Sequence, residues 1–403
     1  MKPIRIGIIT PTYFPNMLGG SELSVKLLAE NLKKMGYSPL VFAFDGKRNS
    51  VEEVNGVKVI RYKILTEHYL PLVLLPYVAI VMKRWENYVD LYHVYNVTPI
   101  SGAGLYKILG GKKPVVATLN NYFAFCPVSQ IFGECWQCSF TNTVRCRLLQ
   151  EHSVMGKVAS TPYSCLFPVM KQLSKRLDCY IALSKFVKRI YVNFGFDSTK
   201  ISVIPNFADL TIAHPNRGNY TIKKFFTLLY VGRISPGKGV KTLLAAFSQL
   251  GSKQKTSQLL IVGHGPELKE CQELAVSLKI NDKVTFYGHM DNEDLCKVYL
   301  MADVMVQPAV WPEPFGRTLL EAMSFDVPLI VSSAGALPEV AEGAGLSFKC
   351  GDSSDLKQKI ELVINNGTVL AGLKSQCSEV LKKYEAQSIL KKITALYHKY
   401  VNL

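Results

Sequence analysis

Short apolar runs alternate along this chain with stretches in which apolar residues recur every three to four positions. That alternation predicts strand–helix–strand units. The first run, Ile4–Thr10, has the character of a strand buried on both faces of a parallel sheet. It stops at Pro11 and passes through Asn16-Met17-Leu18-Gly19-Gly20-Ser21-Glu22. Leu23, Leu27, Leu28 and Leu32 then share a helical face, Gly36 closes the helix, and Pro39–Phe44 is the next strand. Strands follow at Val57–Tyr62, Leu91–Tyr95 and Val115–Leu119, separated by a helix running through Trp85 and another over Gly102–Leu109. A basic helical region, Lys171–Arg189, is interrupted by a short strand, Tyr180–Ser184.

The alternation restarts after Val203–Asp209 and the polar stretch Thr211–Tyr220, which together read as an inter-domain linker. Strands are expected at Phe226–Val231, Gln258–Val262, Val284–Tyr287, Val304–Val306 and Leu329–Val331. Helices are expected at Lys241–Leu250, Glu267–Leu278, Asn292–Ala302, Arg317–Ser324 and from Ser354 onward. The pattern is α/β, with two Rossmann-like, doubly wound domains facing a cleft. Their expected bounds are 1–208 and 220–385. A cysteine-bearing insertion is read at 120–151, and an amphipathic helix at 388–403 is expected to pack back on the first domain.

A chain of 403 residues exceeds what one core usually supports, in keeping with two domains. The net charge of +16 points to acidic partners: a phosphorylated substrate, an anionic membrane or nucleic acid. No interleaved aromatic-basic motif accompanies it, which argues against nucleic acid. After Met1-Lys2-Pro3 the chain enters its first strand with no export signal. The expected location is therefore cytoplasmic. The longest apolar run, Tyr69–Met82, contains Pro71 and Pro76 and falls short of a spanning helix. With Lys83 and Arg84 behind it, it fits a helix lying on the membrane's cytoplasmic face, and equally an ordinary buried helix. Cys126, Cys135, Cys138 and Cys146 have zinc-like spacing with a single Cys-x-x-Cys pair. A structural zinc site and reduced thiols in an irregular loop both remain open.

The candidate chemistry lies in turns that follow strands. Gly232-Arg233-Ile234-Ser235-Pro236-Gly237-Lys238-Gly239 carries two cations where a diphosphate could be neutralised without a metal. Gly20 and Gly263, in the turns Gly19-Gly20 and Gly263-His264-Gly265-Pro266, would admit close approach of a ligand. In Trp311–Ser324, two carboxylates, Glu313 and Glu321, flank a Pro314-Phe315-Gly316 turn. The helix begun by Arg317 and Thr318 would present its free N–H groups to an anion. Neither a dinucleotide-binding G-x-G-x-x-G nor a Walker pattern is present in these turns.

This set of motifs resembles the retaining GT-B glycosyltransferases of family four, the glycosyl transferases group 1. The resemblance runs over nearly the whole chain and is most specific in the carboxy-terminal half. It implies that Arg233 and Lys238 hold the donor diphosphate, that Glu313 faces the donor sugar, and that the amides of Phe315 and Gly316 bind its hydroxyls. It also implies that Glu321 accepts the ribose hydroxyls and that Gly20 approaches the diphosphate from the first domain. Where the family commonly has a histidine at the end of the strand Val115–Leu119, this chain has Asn120, which can hydrogen-bond but cannot carry a proton. The implied activity is transfer of a hexose-type sugar from a nucleotide diphosphate sugar, a UDP- or GDP-sugar, to an acceptor hydroxyl. Polysaccharide, lipopolysaccharide or glycolipid biosynthesis is the expected setting. The acceptor would be a saccharide or lipid-linked saccharide, with no cofactor and no catalytic metal. The alternatives are an inactive sugar-nucleotide-binding relative and a GT-B nucleotide-sugar epimerase.

Overall fold

The structure, a computed structural model, describes residues 3–16, 19–63, 71–122, 126, 166–208, 225–251 and 256–401. The chain divides into two compact units: Met1–Pro205 together with Gln387–Leu403, and Asn206–Ala386.

The sheet of the first unit has the order β3-β4-β2-β1-β5-β6-β7-β8. Its strands are β1 Arg5–Thr10, β2 Ser38–Gly46, β3 Ser50–Val54, β4 Val57–Lys63, β5 Leu91–Tyr95, β6 Val115–Leu119, β7 Cys179–Ala182 and β8 Ile201–Val203. Every pairing is parallel except β3 with β4, a hairpin turned by Asn55 (φ 50°) and Gly56 (φ 77°). The alternation of apolar runs does not reveal β3, because Ser50-Val51-Glu52-Glu53-Val54 is an edge strand with its polar side chains solvated. Strand β8 ends on Val203, the first residue of the segment read as a linker. Its parallel pairing with β7 draws it into the sheet.

The second unit has the order β11-β10-β9-β12-β13-β14, all parallel. The strands are β9 Phe226–Val231, β10 Ser257–Val262, β11 Val284–Gly288, β12 Val304–Gln307, β13 Leu329–Ser332 and β14 Gly345–Phe348. Counted from its first strand this is the doubly wound order 3-2-1-4-5-6. The chain therefore reverses direction across the sheet between β9 and β12. In the first unit the same reversal falls between β1 and β5. On one face of this sheet Leu228, Tyr230, Ile261 and Ile330 are completely buried in one cluster with Leu243 and Phe247 of the helix Val240–Ser248.

The helix Pro71–Trp85 continues through Pro76 and hides Leu74, Leu75, Val78, Ala79, Val81 and Met82, while Val73 and Ile80 remain exposed. Among the described residues no helix is long and apolar enough to cross a membrane. The terminal helix Ala386–Val401 is tied to the first unit's sheet by polar side chains. Tyr397 Oη meets His93 Nδ1 at 2.5 Å, and His93 Nε2 meets Thr118 Oγ1 at 2.7 Å. Burial pushes the His93 imidazole down to about 3, so it stays neutral, with one ring nitrogen donating and the other accepting. Tyr400 Oη adds a hydrogen bond to the Asp178 carbonyl, 3.2 Å.

Candidate functional site

In doubly wound sheets, ligands bind beyond the carboxyl ends of the strands where the strand order reverses. In the second unit, the loops that follow β9 and β12 meet there. Lys238 Nζ pairs with Glu313 Oε1. The same oxygen accepts a hydrogen bond from Trp311 Nε1 at 2.8 Å, and Lys238 Nζ stands 5.3 Å above the Trp311 ring. Glu313 is 5 % exposed, so a carboxylate at this position needs its two donors.

The backbone explains how a buried carboxylate comes to rest there. The Gly237 carbonyl accepts the N–H groups of both Val310 (3.0 Å) and Trp311 (3.2 Å), lacing the β9 loop to the β12 loop. Gly239 has φ +68°, and a Cβ on it would lie 2.0 Å from the Pro308 carbonyl oxygen. Only glycine fits that approach. Glu313 itself forms a one-residue parallel bridge with Gly335, and its carbonyl accepts from Ala336 N at 2.8 Å. A Cβ on Gly335 would lie 2.3 Å from that carbonyl. Sequence reasoning missed Gly335; its only signal is a glycine after the β13 run, far along the chain from the carboxylate it supports.

The other predicted residues of this unit are distributed along the same edge. Arg233 follows β9 and is exposed, with its carbonyl held by Tyr230 Oη at 2.8 Å. Gly263 packs on the backbone of Gly232, where a Cβ would lie 1.9 Å from the carbonyl oxygen. Gly316, at φ 94°, is the left-handed residue from which Arg317–Ser324 starts. Phe315 is buried with its ring against Tyr384. Thr318 Oγ1 accepts from Gln307 Nε2 at 3.4 Å. One turn further, Glu321 Oε2 accepts from Tyr299 Oη at 3.1 Å. Burial, reinforced by the charge of Glu321, holds the Tyr299 phenol far above its ordinary range and so keeps it a donor. Tyr299 and Trp311 were also missed as partners. Both look like core aromatics in a sequence.

The first unit carries neutral chemistry at the corresponding edge. Asn120, after β6, donates from Nδ2 to Ser21 Oγ at 2.5 Å. Ser21 Oγ lies 3.4 Å from Asn96 Oδ1, Asn121 Nδ2 donates to Asn96 Oδ1 at 3.1 Å, and Asn121 Nδ2 lies 3.2 Å from Asn120 Oδ1. These contacts close a ring of three amides and one hydroxyl. Gly20 is the first residue of the helix Gly20–Lys34 and is exposed beside it. The loop before it is pinned by Arg61, which donates to Asp45 and to the carbonyls of Tyr13 (3.2 Å) and Phe14 (2.6 Å). Glu22 is buried, and that burial raises its carboxyl above the usual range. Among the cysteines considered for zinc, Cys126 is buried; Cys135, Cys138 and Cys146 lie outside the described residues.

Residues 18–212 match the family described as Glycosyltransferase Family 4, and residues 215–384 match the family described as Glycosyl transferases group 1. The chain belongs to the family-four, group 1 glycosyltransferases. It is 26 % identical over 342 residues to an uncharacterised glycosyltransferase of Methanocaldococcus jannaschii, covering 84 % of this chain and 82 % of that one. It is 24 % identical over 417 residues to the phosphatidyl-myo-inositol mannosyltransferase of Mycolicibacterium smegmatis, covering 98 % of this chain and 93 % of that one. Among solved structures, sucrose-phosphate synthase of Thermosynechococcus elongatus superposes with TM-score 0.76 at 22 % identity, over 98 % of both chains. HepE of Anabaena, solved in complex with UDP-glucose, superposes with TM-score 0.73 at 19 % identity, over 98 % of this chain and 100 % of that one. The fold of this glycosyltransferase is GT-B.

Proposed function

We propose that this glycosyltransferase moves a hexose-type sugar from a UDP- or GDP-sugar to an acceptor hydroxyl, retains the anomeric configuration and needs no divalent metal. The observation that carries the reading is the buried Glu313 carboxylate paired with Lys238 beside the start of the helix Arg317–Ser324. That is a cation, an acid and a helix N-terminus at a strand-order reversal, the combination a sugar diphosphate requires. In this reading Asn206–Ala386 binds the donor and the other unit receives the acceptor. Arg233 and Lys238 take the diphosphate, Glu321 the ribose hydroxyls, Glu313 and the amides of Phe315 and Gly316 the sugar, and Asn120 contributes a hydrogen bond to it.

The chemistry follows from what these side chains can do. The bond from the anomeric carbon to the diphosphate oxygen breaks, and negative charge grows on the leaving oxygen. Arg233 and Lys238 stabilise that charge as it develops. The acceptor oxygen bonds to the anomeric carbon on the face the diphosphate is leaving, and the acceptor's proton passes to the departing phosphate oxygen. The protein's part is orientation and electrostatics. The mannosyltransferase relative is named for a phosphatidyl-inositol acceptor, and the +16 charge suits an anionic or lipid-linked saccharide at the membrane's cytoplasmic face. Polysaccharide, lipopolysaccharide or glycolipid biosynthesis is the setting this supports.

The test is incubation with UDP-glucose or GDP-mannose and a panel of saccharide and glycolipid acceptors, with and without EDTA. Product anomers are resolved by proton NMR. The reading expects an α-linked product from these α-linked donors, formed at the same rate in EDTA. A β-linked product overturns retention, and loss of activity in EDTA overturns metal independence. A second reading, a relative that binds sugar nucleotides without transfer, draws on Asn120 being engaged with Ser21. Donor binding with neither transfer nor hydrolysis would favour it.

A further inference from the structure

We propose that Trp311 is the positioning residue for Glu313, holding the carboxylate in place while Lys238 is drawn to the donor's diphosphate. The proposal rests on the donor-site reading above. Lys238 and Trp311 both donate to the same atom, Glu313 Oε1. Glu313 Oε2 takes no hydrogen bond from the described residues, so Oε1 is the anchored oxygen and Oε2 the one turned to other work. A diphosphate competes for Lys238, because an ammonium is a mobile point charge on a flexible stem. Were Lys238 the sole anchor, binding donor would release a buried carboxylate at the moment it had to be oriented. The indole N–H carries no charge for a phosphate to attract.

The surroundings are built for that indole. Trp311 packs on Gly237, where a Cβ would lie 3.1 Å from Cδ1 and 3.2 Å from Cγ of the ring. The backbone of Trp311 is fixed by the Gly237 carbonyl at 3.2 Å, and the ring face receives the Lys238 ammonium. The indole is therefore clamped between a glycine and a cation, with its N–H aimed at Oε1. A tryptophan serving only as packing would not need its single polar atom on the site's carboxylate.

The experiment compares the unaltered protein with Trp311→Phe and Gly237→Ala. Phenylalanine keeps a ring for Lys238 and removes the N–H; alanine at 237 crowds the indole and leaves the N–H present. UDP-glucose and GDP-mannose are the probes. Two quantities are read: the donor Kd by titration calorimetry, and nucleoside diphosphate release at saturating donor, with water as the acceptor. The expected result for Trp311→Phe is a Kd within about twofold of the unaltered protein and a release rate lower by about tenfold, the worth of one hydrogen bond to a charged group. Gly237→Ala should lower the rate in the same direction by a smaller factor. A Trp311→Phe rate equal to that of the unaltered protein overturns the proposal. So does a weakened Kd with an unchanged saturated rate, since that would make Trp311 a binding or packing residue. If the unaltered protein binds neither nucleotide sugar, the donor-site reading itself falls and takes this proposal with it.

Discussion

The two units share one plan and differ in chemistry. Each sheet reverses its strand order once, between β1 and β5 in the first unit and between β9 and β12 in the second, and each gathers polar side chains at that point. In the first unit the gathered groups are neutral: Ser21, Asn96, Asn120 and Asn121, linked at 2.5 to 3.4 Å. In the second they are charged, with Lys238 on the buried Glu313. The fold decides where a ligand can sit, and side-chain identity decides what it can be. Amides and hydroxyls suit the hydroxyl groups of a sugar or an acceptor. The ammonium, the carboxylates and the helix terminus suit a diphosphate sugar, whose leaving group becomes more negative as it departs.

Breaking the charged cluster should have the largest effect. Glu313→Gln and Lys238→Met should each lower the transfer rate by about 10² to 10³, the range for losing one preorganised electrostatic contact. Initial rates at saturating donor check this. Gly239→Ala should damage the same cluster through the backbone. Its Cβ would lie 2.0 Å from the Pro308 oxygen in a left-handed conformation, so about 3 kcal/mol of stability should be lost. Thermal unfolding would then fall by roughly 10 °C.

Breaking the neutral ring should cost less. Asn120→Ala removes uncharged hydrogen bonds, and the rate should fall about tenfold. A loss as large as that for Lys238→Met would erase the distinction between the units.

The last prediction concerns stability against pH and leaves the rate contrast between the units untouched. His93 is lowered by burial from 6.5 to about 3, so between those values the unfolded chain takes up a proton that the folded one refuses. Stability is unaffected by this group above pH 6.5. As pH falls from 6.5 toward 3 the group removes about 1.4 kcal/mol per pH unit. His93→Gln should remove that contribution to the slope, measured by urea unfolding at pH 7, 6 and 5.

The contrast also separates what a sequence discloses from what it conceals. Strands buried on both faces, such as Phe226–Val231 and Val115–Leu119, stand out because every residue is apolar or nearly so. Edge strands do not: Ser50–Val54 is half polar, and Gly345–Phe348 has only Phe348 fully buried, so neither carries the periodic signal. In the candidate site, Glu313, Lys238 and Gly239 were legible because charges and glycines follow strands at short range. Their supports were not. Gly335 reaches Glu313 across 22 positions, Tyr299 reaches Glu321 across the same distance, and Asn96 meets Ser21 across 75. A contact made by the winding of the sheet leaves no local mark. The ring containing Asn120 shows the same limit, since a single asparagine gives no hint of the two groups that hold its amide.

The central claim is that the charged edge of Asn206–Ala386 holds a nucleotide sugar. Its most direct test is thermal unfolding of the protein with UDP-, GDP-, ADP- and CMP-sugars, repeated on Arg233→Ala and Glu321→Ala. A ligand at a hundredfold its Kd adds about 2.7 kcal/mol to the state that binds it. The account predicts a rise of several degrees with a UDP- or GDP-sugar, abolished or strongly reduced in both variants. No rise with any of the four, or a rise that both variants keep in full, would contradict it.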